Sequence, residues 1–146
     1  MAKKRGHDNR SWAERLRARN LRMTCCRRGL LEVLDEADVP LTVEALAAAV
    51  NGLHEDHGHD LSTLYRNVET LQTAGIVRRI ELGDGSARYE LDEGHNHYVR
   101  CVKCGRMDAV GQCDLTKLVR QVERRLGYAV TGHHLHLTGL CRRCRR

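Results

Sequence analysis

The sequence predicts an α+β fold in two parts. In the first part, helical apolar periodicity recurs and is followed by two short strand-like runs around an Asp-Gly turn. In the second part, one more amphipathic helix precedes a strand-like run, and two Cys-x-x-Cys pairs, Cys101/Cys104 and Cys141/Cys144, enclose both. These observations predict an N-terminal winged helix-turn-helix domain followed by a small α/β domain with a four-cysteine zinc site.

The chain begins with a basic segment. Residues 1–28 carry ten Lys or Arg against two acidic residues, and residues 1–10 lack apolar periodicity, so we expect a flexible basic arm over 1–10. Clustered positive charge attracts a phosphate backbone, although a disordered tail without a partner has the same composition. We expect the winged domain, with its wing and hinge, over 11–91 and a metal-binding dimerisation domain over 92–146.

Polar N-caps and helix-breaking residues bound the first three predicted helices. We expect these helices over 11–20, from Thr24 to the acidic stretch before Pro40, and from Thr42 to Asn51-Gly52. Because the chain has no Phe and one Trp, Leu, Val and Ala must build most of the core. The polar loop that follows contains three imidazoles, which either bind a metal or form a solvated loop: His54, His57 and His59.

The fourth helix has two different faces. Apolar residues recur at helical spacing from Leu61 to Leu71, after an N-cap at Asp60 or Ser62. The other face offers hydroxyl groups, an aromatic ring and a guanidinium, which suit base edges, thymine methyls and phosphates: Ser62, Thr63, Tyr65 and Arg66. Strand-like runs at 76–82 and 87–91 flank a Gly-Asp-Gly-Ser turn, and this hairpin completes the winged helix.

The two cysteine pairs supply four soft ligands to one metal. Such a closed set leaves no coordination position for water, which favours a structural zinc over a catalytic one. Two disulfides or a redox-active pair would use the same residues. The charged start of the chain has no secretory apolar run, so we expect a reducing, cytoplasmic location in which thiols stay reduced. No apolar run approaches the ~20 residues of a membrane span, so we expect no membrane partner.

A second metal site is predicted around the His-x-His motif. On a strand, His95 and His97 point to the same side and form a chelating pair. His133 adds a third imidazole if the strand predicted over 128–137 lies beside the first, and Glu90, Cys113 or a residue of the histidine-rich loop completes four ligands. These donors suit zinc, iron, nickel or manganese, with Cys113 favouring zinc. Alternatively, these histidines are ordinary surface residues.

The last helix and strand predict an oligomer. The helix is expected to start at Asp114 as N-cap and to end at Gly127, with apolar residues on one face. Its face consists of Leu115, Leu118, Val119, Val122 and Leu126. A small α/β unit with an open sheet edge pairs across a two-fold axis, so we expect a homodimer.

Several motifs together resemble the ferric-uptake-regulator (Fur) family of bacterial metal-dependent repressors. The resemblance runs from about residue 11 to the end and rests on these segments: 21–24 with Arg27, 62–66, 75–77, 88–91, His95-x-His97, both cysteine pairs and Gly139. It implies a dimer with winged-helix DNA-binding domains, a structural four-cysteine zinc and a separate regulatory metal near the hinge. It also implies that Tyr65 and Arg66 contact bases and phosphates, that Arg22 reaches toward the minor groove and that Arg27 contacts the backbone.

The sequence departs from the family pattern at several positions. Cys25-Cys26 replace the usual Pro-Gln and are either bystanders or a thiol sensor. The resemblance places Asn96 and Tyr98 where the family has its main sensory histidines, and it matches His95, His97 and His133 to a secondary metal site. Other ligand positions are occupied by Pro40, Arg78, Asp92 and Thr116. Since no branch's site is reproduced, the branch stays open between zinc-uptake and iron-uptake regulators.

These patterns predict a metal-responsive DNA-binding repressor that controls zinc or iron uptake or homeostasis genes. We expect structural Zn²⁺, a second regulatory metal (Zn²⁺ or Fe²⁺), an operator in double-stranded DNA and no small organic substrate. A thiol- or peroxide-responsive regulator of the same family and a zinc-containing nucleic-acid-binding module without metal sensing are the alternatives. An enzyme is not expected, because no open-shell metal triad, nucleophile with a base or phosphate-binding glycine loop is present.

Overall fold

The computed structural model describes residues 9–53, 58–93, 96–111 and 114–146. The chain divides into two compact units between Gly94 and His95. The segment 92–93 therefore belongs to the first unit, whereas the sequence predicts the boundary after residue 91. None of the helices in the described ranges has the length and apolar composition of a membrane span.

Four helices build most of the first unit: α1 (Asn9–Arg17), α2 (Cys25–Glu36), α3 (Val43–Leu53) and α4 (Leu61–Thr73). The predicted caps of α2 and α4 are confirmed. Thr24 accepts a hydrogen bond from the backbone N–H of Arg27, and the Asp60 carboxylate accepts one from that of Thr63 at 2.7 Å. Both caps satisfy backbone donors that the first helical turn leaves unpaired.

One apolar core joins these helices. Leu30, Leu46, Leu64 and Leu71 are fully buried in it, together with Trp12 from α1. α2 and α3 approach closely at Gly29, where an added Cβ would lie 2.9 Å from a Val50 methyl carbon. The apolar stripe of α4 is therefore committed to the core, and the opposite face of that helix carries its exposed residues.

A two-stranded antiparallel hairpin follows α4. It consists of β1 (Val77–Glu81) and β2 (Ala87–Leu91), with Val77 opposite Leu91 and Arg78 opposite Glu90. Gly83 and Gly85 adopt positive φ angles in the connecting turn, which side chains disfavour. Leu41 pairs with Tyr89 and fastens the hairpin to the segment before α3. The order of four helices and a hairpin confirms the predicted winged helix-turn-helix domain.

The second unit contains a three-stranded sheet and one helix. Its elements are β3 (His97–Cys101), β4 (Met107–Val110), α5 (Thr116–Leu126) and β5 (His136–Gly139). β3 lies in the middle, antiparallel to β4 and parallel to β5. This small α/β unit agrees with the predicted fold class.

Several predicted boundaries are wrong for physical reasons. α3 continues past Asn51 to Leu53, and the Asn51 side-chain amide donates to the backbone carbonyl of His59 and accepts from its N–H. Asp114 does not cap α5, whose N-cap is Leu115 without a side-chain hydrogen bond. The strand predicted over 128–137 begins only at His136 and runs to Gly139 as β5, since the pairing with β3 begins where His136 lies opposite Tyr98. His133 therefore precedes the strand and shares no strand face with Leu135 and Leu137.

Candidate metal centres and nucleic-acid interface

The four cysteines of the two Cys-x-x-Cys pairs converge in the second unit. Cys101 ends β3, the turn after it carries Cys104, and the turn after β5 carries the other pair, Cys141 and Cys144. Their sulfur atoms all lie within 4.8 Å of one another. The parallel pairing of Cys101 with Gly139 brings the two turns together, although thirty-nine intervening residues separate Cys101 from Cys141.

The spacing of these sulfurs fits a tetrahedral zinc ion. With Zn–S bonds of about 2.3 Å, the sulfur–sulfur edges of a tetrahedron are about 3.8 Å long. The Sγ atoms of Cys104 and Cys141 are 3.7 Å apart. A disulfide would need an S–S bond of about 2 Å, and each of the four is a free thiol. The arrangement therefore supports a metal site over the disulfide alternative.

The electrostatics of the cluster also favour a cation. Backbone N–H groups of Cys141 and Cys104 lower the pKa of Cys101 to about 6, so this sulfur is a thiolate at neutral pH. By contrast, the sulfurs of Cys104 and Cys141 raise the pKa of Cys144 to about 12. Four thiolates at this separation would repel one another, so part of the metal-free cluster stays protonated. A divalent cation held by the four sulfurs would offset that repulsion and favour loss of the remaining protons.

A second group of metal donors in the same unit is an imidazole pair. His97, at the start of β3, is 2% exposed. Its Nε2 atom lies 3.3 Å from the Nε2 atom of the half-buried His133, and the two rings are stacked with centroids 5.1 Å apart. The structure thus brings together two of the residues that the sequence predicts for the regulatory site.

This nitrogen–nitrogen distance is compatible with one shared metal. Two imidazoles bound to a tetrahedral zinc at about 2.0–2.1 Å have their nitrogen atoms about 3.3–3.4 Å apart. A hydrogen bond between the rings, with one ring as donor, explains the same distance without a metal. The four-cysteine cluster is the only group of three or more potential ligands within the described ranges. Further ligands of the imidazole pair would come from outside those ranges or from other donors.

Not all predicted ligands can be placed. His95, Cys113, His54 and His57 lie outside the described residues. Glu90 belongs to the first unit, on β2, where the guanidinium of Arg78 forms an ion pair with it and donates from Nε at 2.6 Å. Arg78 thus already supplies positive charge to the carboxylate that the sequence predicts as a metal ligand.

The exposed face of α4 presents the predicted nucleic-acid contacts. Tyr65 is 39% exposed, and its hydroxyl donates to Glu44 of α3 at 2.8 Å. Arg66 is exposed beside it. The hydroxyls of Ser62 and Thr63 donate to the Asp60 carboxylate at 2.7 and 3.1 Å, so their protons are engaged by the helix cap.

Of the two other predicted contacts, Arg27 lies in the first turn of α2 and Arg22 lies in the segment before that helix. The guanidinium of Arg27 donates to the backbone carbonyl of Arg22 at 2.7 Å and to the side-chain oxygen of Asn67 at 3.1 Å. Asn67 in turn donates to the Thr63 carbonyl of α4. This chain of hydrogen bonds links Arg22 and Arg27 to the exposed helix, so all six predicted residues belong to one connected region of the first unit.

The comparison with known families decides the assignment. Residues 18–138 match the Ferric uptake regulator family, over most of both units. The chain belongs to the ferric uptake regulator family. It is therefore a metal-responsive transcriptional regulator of the Fur family and not an enzyme, as the sequence predicts.

Individual relatives differ in what their names say they respond to. The chain is 29% identical to the ferric uptake regulation protein of Legionella pneumophila over 90% of this chain and 97% of that protein. It is 26% identical to the peroxide-responsive repressor PerR of Staphylococcus aureus, over 88% and 86% of the two chains. The ferric uptake regulator structure of Vibrio cholerae superposes with a TM-score of 0.76 at 26% identity, covering 88% and 98%. These similarities leave the branch within the Fur family open.

Two partners of predicted site residues do not emerge from the sequence reasoning: Asn67, which holds Arg27, and Arg78, which holds Glu90. The Arg78 partner could be found from the sequence, because Arg78 falls opposite Glu90 once the hairpin register is counted from its turn. The Asn67 partner could not, because its contact with Arg27 joins two helices that are distant in the sequence.

Proposed function

We propose that this Fur-family chain is a DNA-binding repressor with a structural zinc at the four cysteines and a regulatory divalent metal, Zn²⁺ or Fe²⁺, at the imidazole pair. It would control zinc or iron uptake or homeostasis genes from the cytoplasm, where thiols stay reduced. When bound, the regulatory metal supplies a positive charge that both imidazoles share. The remaining roles in this proposal, DNA contact and dimer formation, belong to the chain's own residues.

The observation that carries this proposal is the His97–His133 pair. It is a second group of nitrogen donors, separate from the cysteine cluster, and its Nε2 atoms are spaced for one metal. The two residues come from β3 and from the loop before β5, so shared coordination would fix that loop against the sheet. A site that orders two segments can bias an equilibrium between conformations, which a regulator needs.

A homodimer is supported by the exposed apolar side of the second unit. α5 has no buried residue, and its Leu118 and Leu126 are 54% and 66% exposed. Tyr128 and Leu137 are also exposed. Apolar side chains at this density need a partner surface, and a second copy of the chain offers the same surface in return.

We assign the DNA interface to Arg22, Arg27, Ser62, Thr63, Tyr65 and Arg66. Arg66 and Tyr65 project from the exposed face of α4, as a helix that reads a major groove requires. Arg22 and Arg27 supply positive charge for phosphates. Ser62 and Thr63 have a smaller role in this assignment, because their hydroxyls already donate hydrogen bonds to the Asp60 carboxylate.

A thiol-based response through Cys26 is disfavoured. Burial raises the pKa of the Cys26 thiol, and an oxidant reacts with the exposed thiolate rather than with a buried thiol. Cys25 is exposed and stays a candidate for this chemistry, as does Cys113, which lies outside the described residues.

Metal content and DNA binding measured on the same samples test the proposal. Protein purified under reducing conditions should hold two metals per protomer, and mild chelation should remove one of them together with specific DNA binding. One retained zinc with unchanged DNA binding would refute metal sensing and leave the nucleic-acid-binding module. Loss of binding on treatment with peroxide, at constant metal content, would instead support the peroxide-responsive alternative.

A further inference from the structure

The hydrogen bond between Tyr65 and Glu44 connects the exposed face of α4 to the first turn of α3. The phenol hydroxyl is the donor and the Glu44 carboxylate is the acceptor, at 2.8 Å. Thr42 caps the same turn by accepting from the Ala45 N–H. Tyr65 is 39% exposed and Glu44 is exposed. The pair therefore lies at the surface of the helix-turn-helix, where Tyr65 is assigned to contact DNA.

Both groups keep these roles at neutral pH. The hydrogen bond from the backbone of Glu44, and after it the one from Tyr65, lowers the pKa of the Glu44 carboxyl, which stays ionised. The same contact raises the pKa of the Tyr65 phenol, because loss of its proton would place two negative charges together. The negative end of Glu44 is further stabilised by its place in the first turn of α3.

This hydrogen bond decides what Tyr65 offers to a base pair. A phenol can donate one hydrogen bond, and the Glu44 carboxylate already accepts it. What is left for DNA is the aromatic ring edge and the lone pairs of the phenol oxygen, next to a carboxylate that repels phosphate. In the major groove, such a surface accepts from the amino groups of adenine or cytosine and contacts a thymine methyl. It opposes the O6 acceptor of guanine, which takes the place of the adenine amino group, whereas the N7 acceptor is common to both purines.

We propose that Glu44 is a specificity-determining residue that acts through Tyr65, by holding the phenol as a hydrogen-bond acceptor toward the base pair that faces it. This inference rests on the proposed DNA-binding function and adds a residue to it. Glu44 excludes wrong bases at one position, since a base acceptor opposite the phenol oxygen would lose its hydrogen bond to water without gaining another.

The test uses the full-length, metal-loaded protein and a pool of duplex DNA with a randomised central segment. Bound duplexes are selected and sequenced for the parent protein and for four variants: Glu44→Ala, Tyr65→Phe, the double substitution and Glu36→Ala. Glu36→Ala is the matched control, because it removes the same charge from the exposed end of α2. Thermal unfolding monitored by Trp12 fluorescence checks that each variant is folded.

We expect Glu44→Ala to weaken discrimination against guanine at one position of each half-site by roughly fivefold, the low end of what one side-chain contact provides. All other positions should keep the parental preference. Tyr65→Phe should also lose this discrimination, because it removes the phenol oxygen. Adding Glu44→Ala to Tyr65→Phe should then change the base preference no further, as expected if Glu44 sets that preference only through the phenol.

Three results would overturn the inference: an unchanged base preference in Glu44→Ala, a change in affinity that is the same for every sequence, or a further change of base preference when Glu44→Ala is added to Tyr65→Phe. The second result would show that Glu44 acts only as a charge on the duplex as a whole, and the third that it acts without the phenol. Failure of the parent protein to enrich any sequence is a different result. It would contradict the proposed DNA-binding function itself.

Discussion

The two units bury very different amounts of apolar surface, and this predicts that the second unit depends on the metal proposed at its four cysteines. Apart from Tyr98 and Cys101, every buried apolar side chain in the described part of the chain lies in residues 9–93. The helix and the edge strand of the second unit, α5 and β5, contain no buried residue. We expect removal of the cysteine-bound metal to unfold residues 96–146 and to leave the winged-helix unit intact.

The magnitude follows from two contributions. Full burial of one large apolar side chain contributes about 1.5–3 kcal/mol, and this unit has few such residues. A structural zinc in a small peptide contributes about 10–16 kcal/mol at neutral pH. The metal should therefore stabilise the second unit by more than its buried side chains do. Loss of one ligand in Cys141→Ser should cost several kcal/mol, because three thiolates hold zinc less tightly than four.

Segment-resolved hydrogen exchange measures this effect. In Cys141→Ser, backbone amides of β3 and β5 should exchange at rates close to those of an unfolded chain, and one zinc per protomer should be lost. Trp12, the only tryptophan, reports on the winged-helix unit through its fluorescence and should keep the parental unfolding transition. Cys25→Ser is the matched control, since it changes an exposed cysteine of the first unit. Full protection of 96–146 in metal-free Cys141→Ser would refute the reasoning.

Three further predictions concern the proposed sites. Arg66→Ala should weaken binding to selected duplex DNA about tenfold or more, by loss of a charged contact, without changing the oligomeric state in sedimentation; an unchanged titration would remove Arg66 from the interface. His133→Ala should abolish binding of the second metal in isothermal titration. Glu90→Gln should leave the affinity for that metal within about twofold of the parental value, because Arg78 holds the Glu90 carboxylate. The reverse outcome would assign the metal to Glu90. Zinc affinity, measured against a competing chelator, should fall as the pH drops from 7 to 5, and more steeply below about 6, where Cys101 of the metal-free cluster becomes protonated; an affinity independent of pH over this range would contradict thiolate ligation.

Most of the first unit could be predicted from the sequence because its signals are local. Apolar spacing in α4 and the cap at Asp60 are properties of neighbouring residues, and so is the glycine-containing turn of the hairpin. The cysteine cluster could also be predicted, since each Cys-x-x-Cys pair defines its own turn. Pairing the two turns required only one assumption, that both bind the same ion.

The second unit was less accessible because its structure depends on contacts between distant segments. The length of β5 is set by the parallel pairing with β3, which begins at Tyr98 and His136. No local sequence pattern in residues 128–135 indicates that they stay outside the sheet. The same pairing determines where His133 meets His97. A side chain's partner across a sheet depends on register, and register is fixed by the fold as a whole.

The imidazole pair can regulate DNA binding only if metal and DNA each favour the same conformation of the chain. Linkage then requires that a factor by which metal tightens DNA binding equals the factor by which DNA tightens metal binding. A purely structural site, filled in every conformation, gives a factor of one in both directions. The cysteine cluster has to stay filled in these titrations, because emptying it is expected to unfold the unit that contains both sites. With that cluster filled, we expect titrations of the His97–His133 pair and of DNA, each in the presence and absence of the other, to give equal factors above about fivefold, the lower end for allosteric coupling.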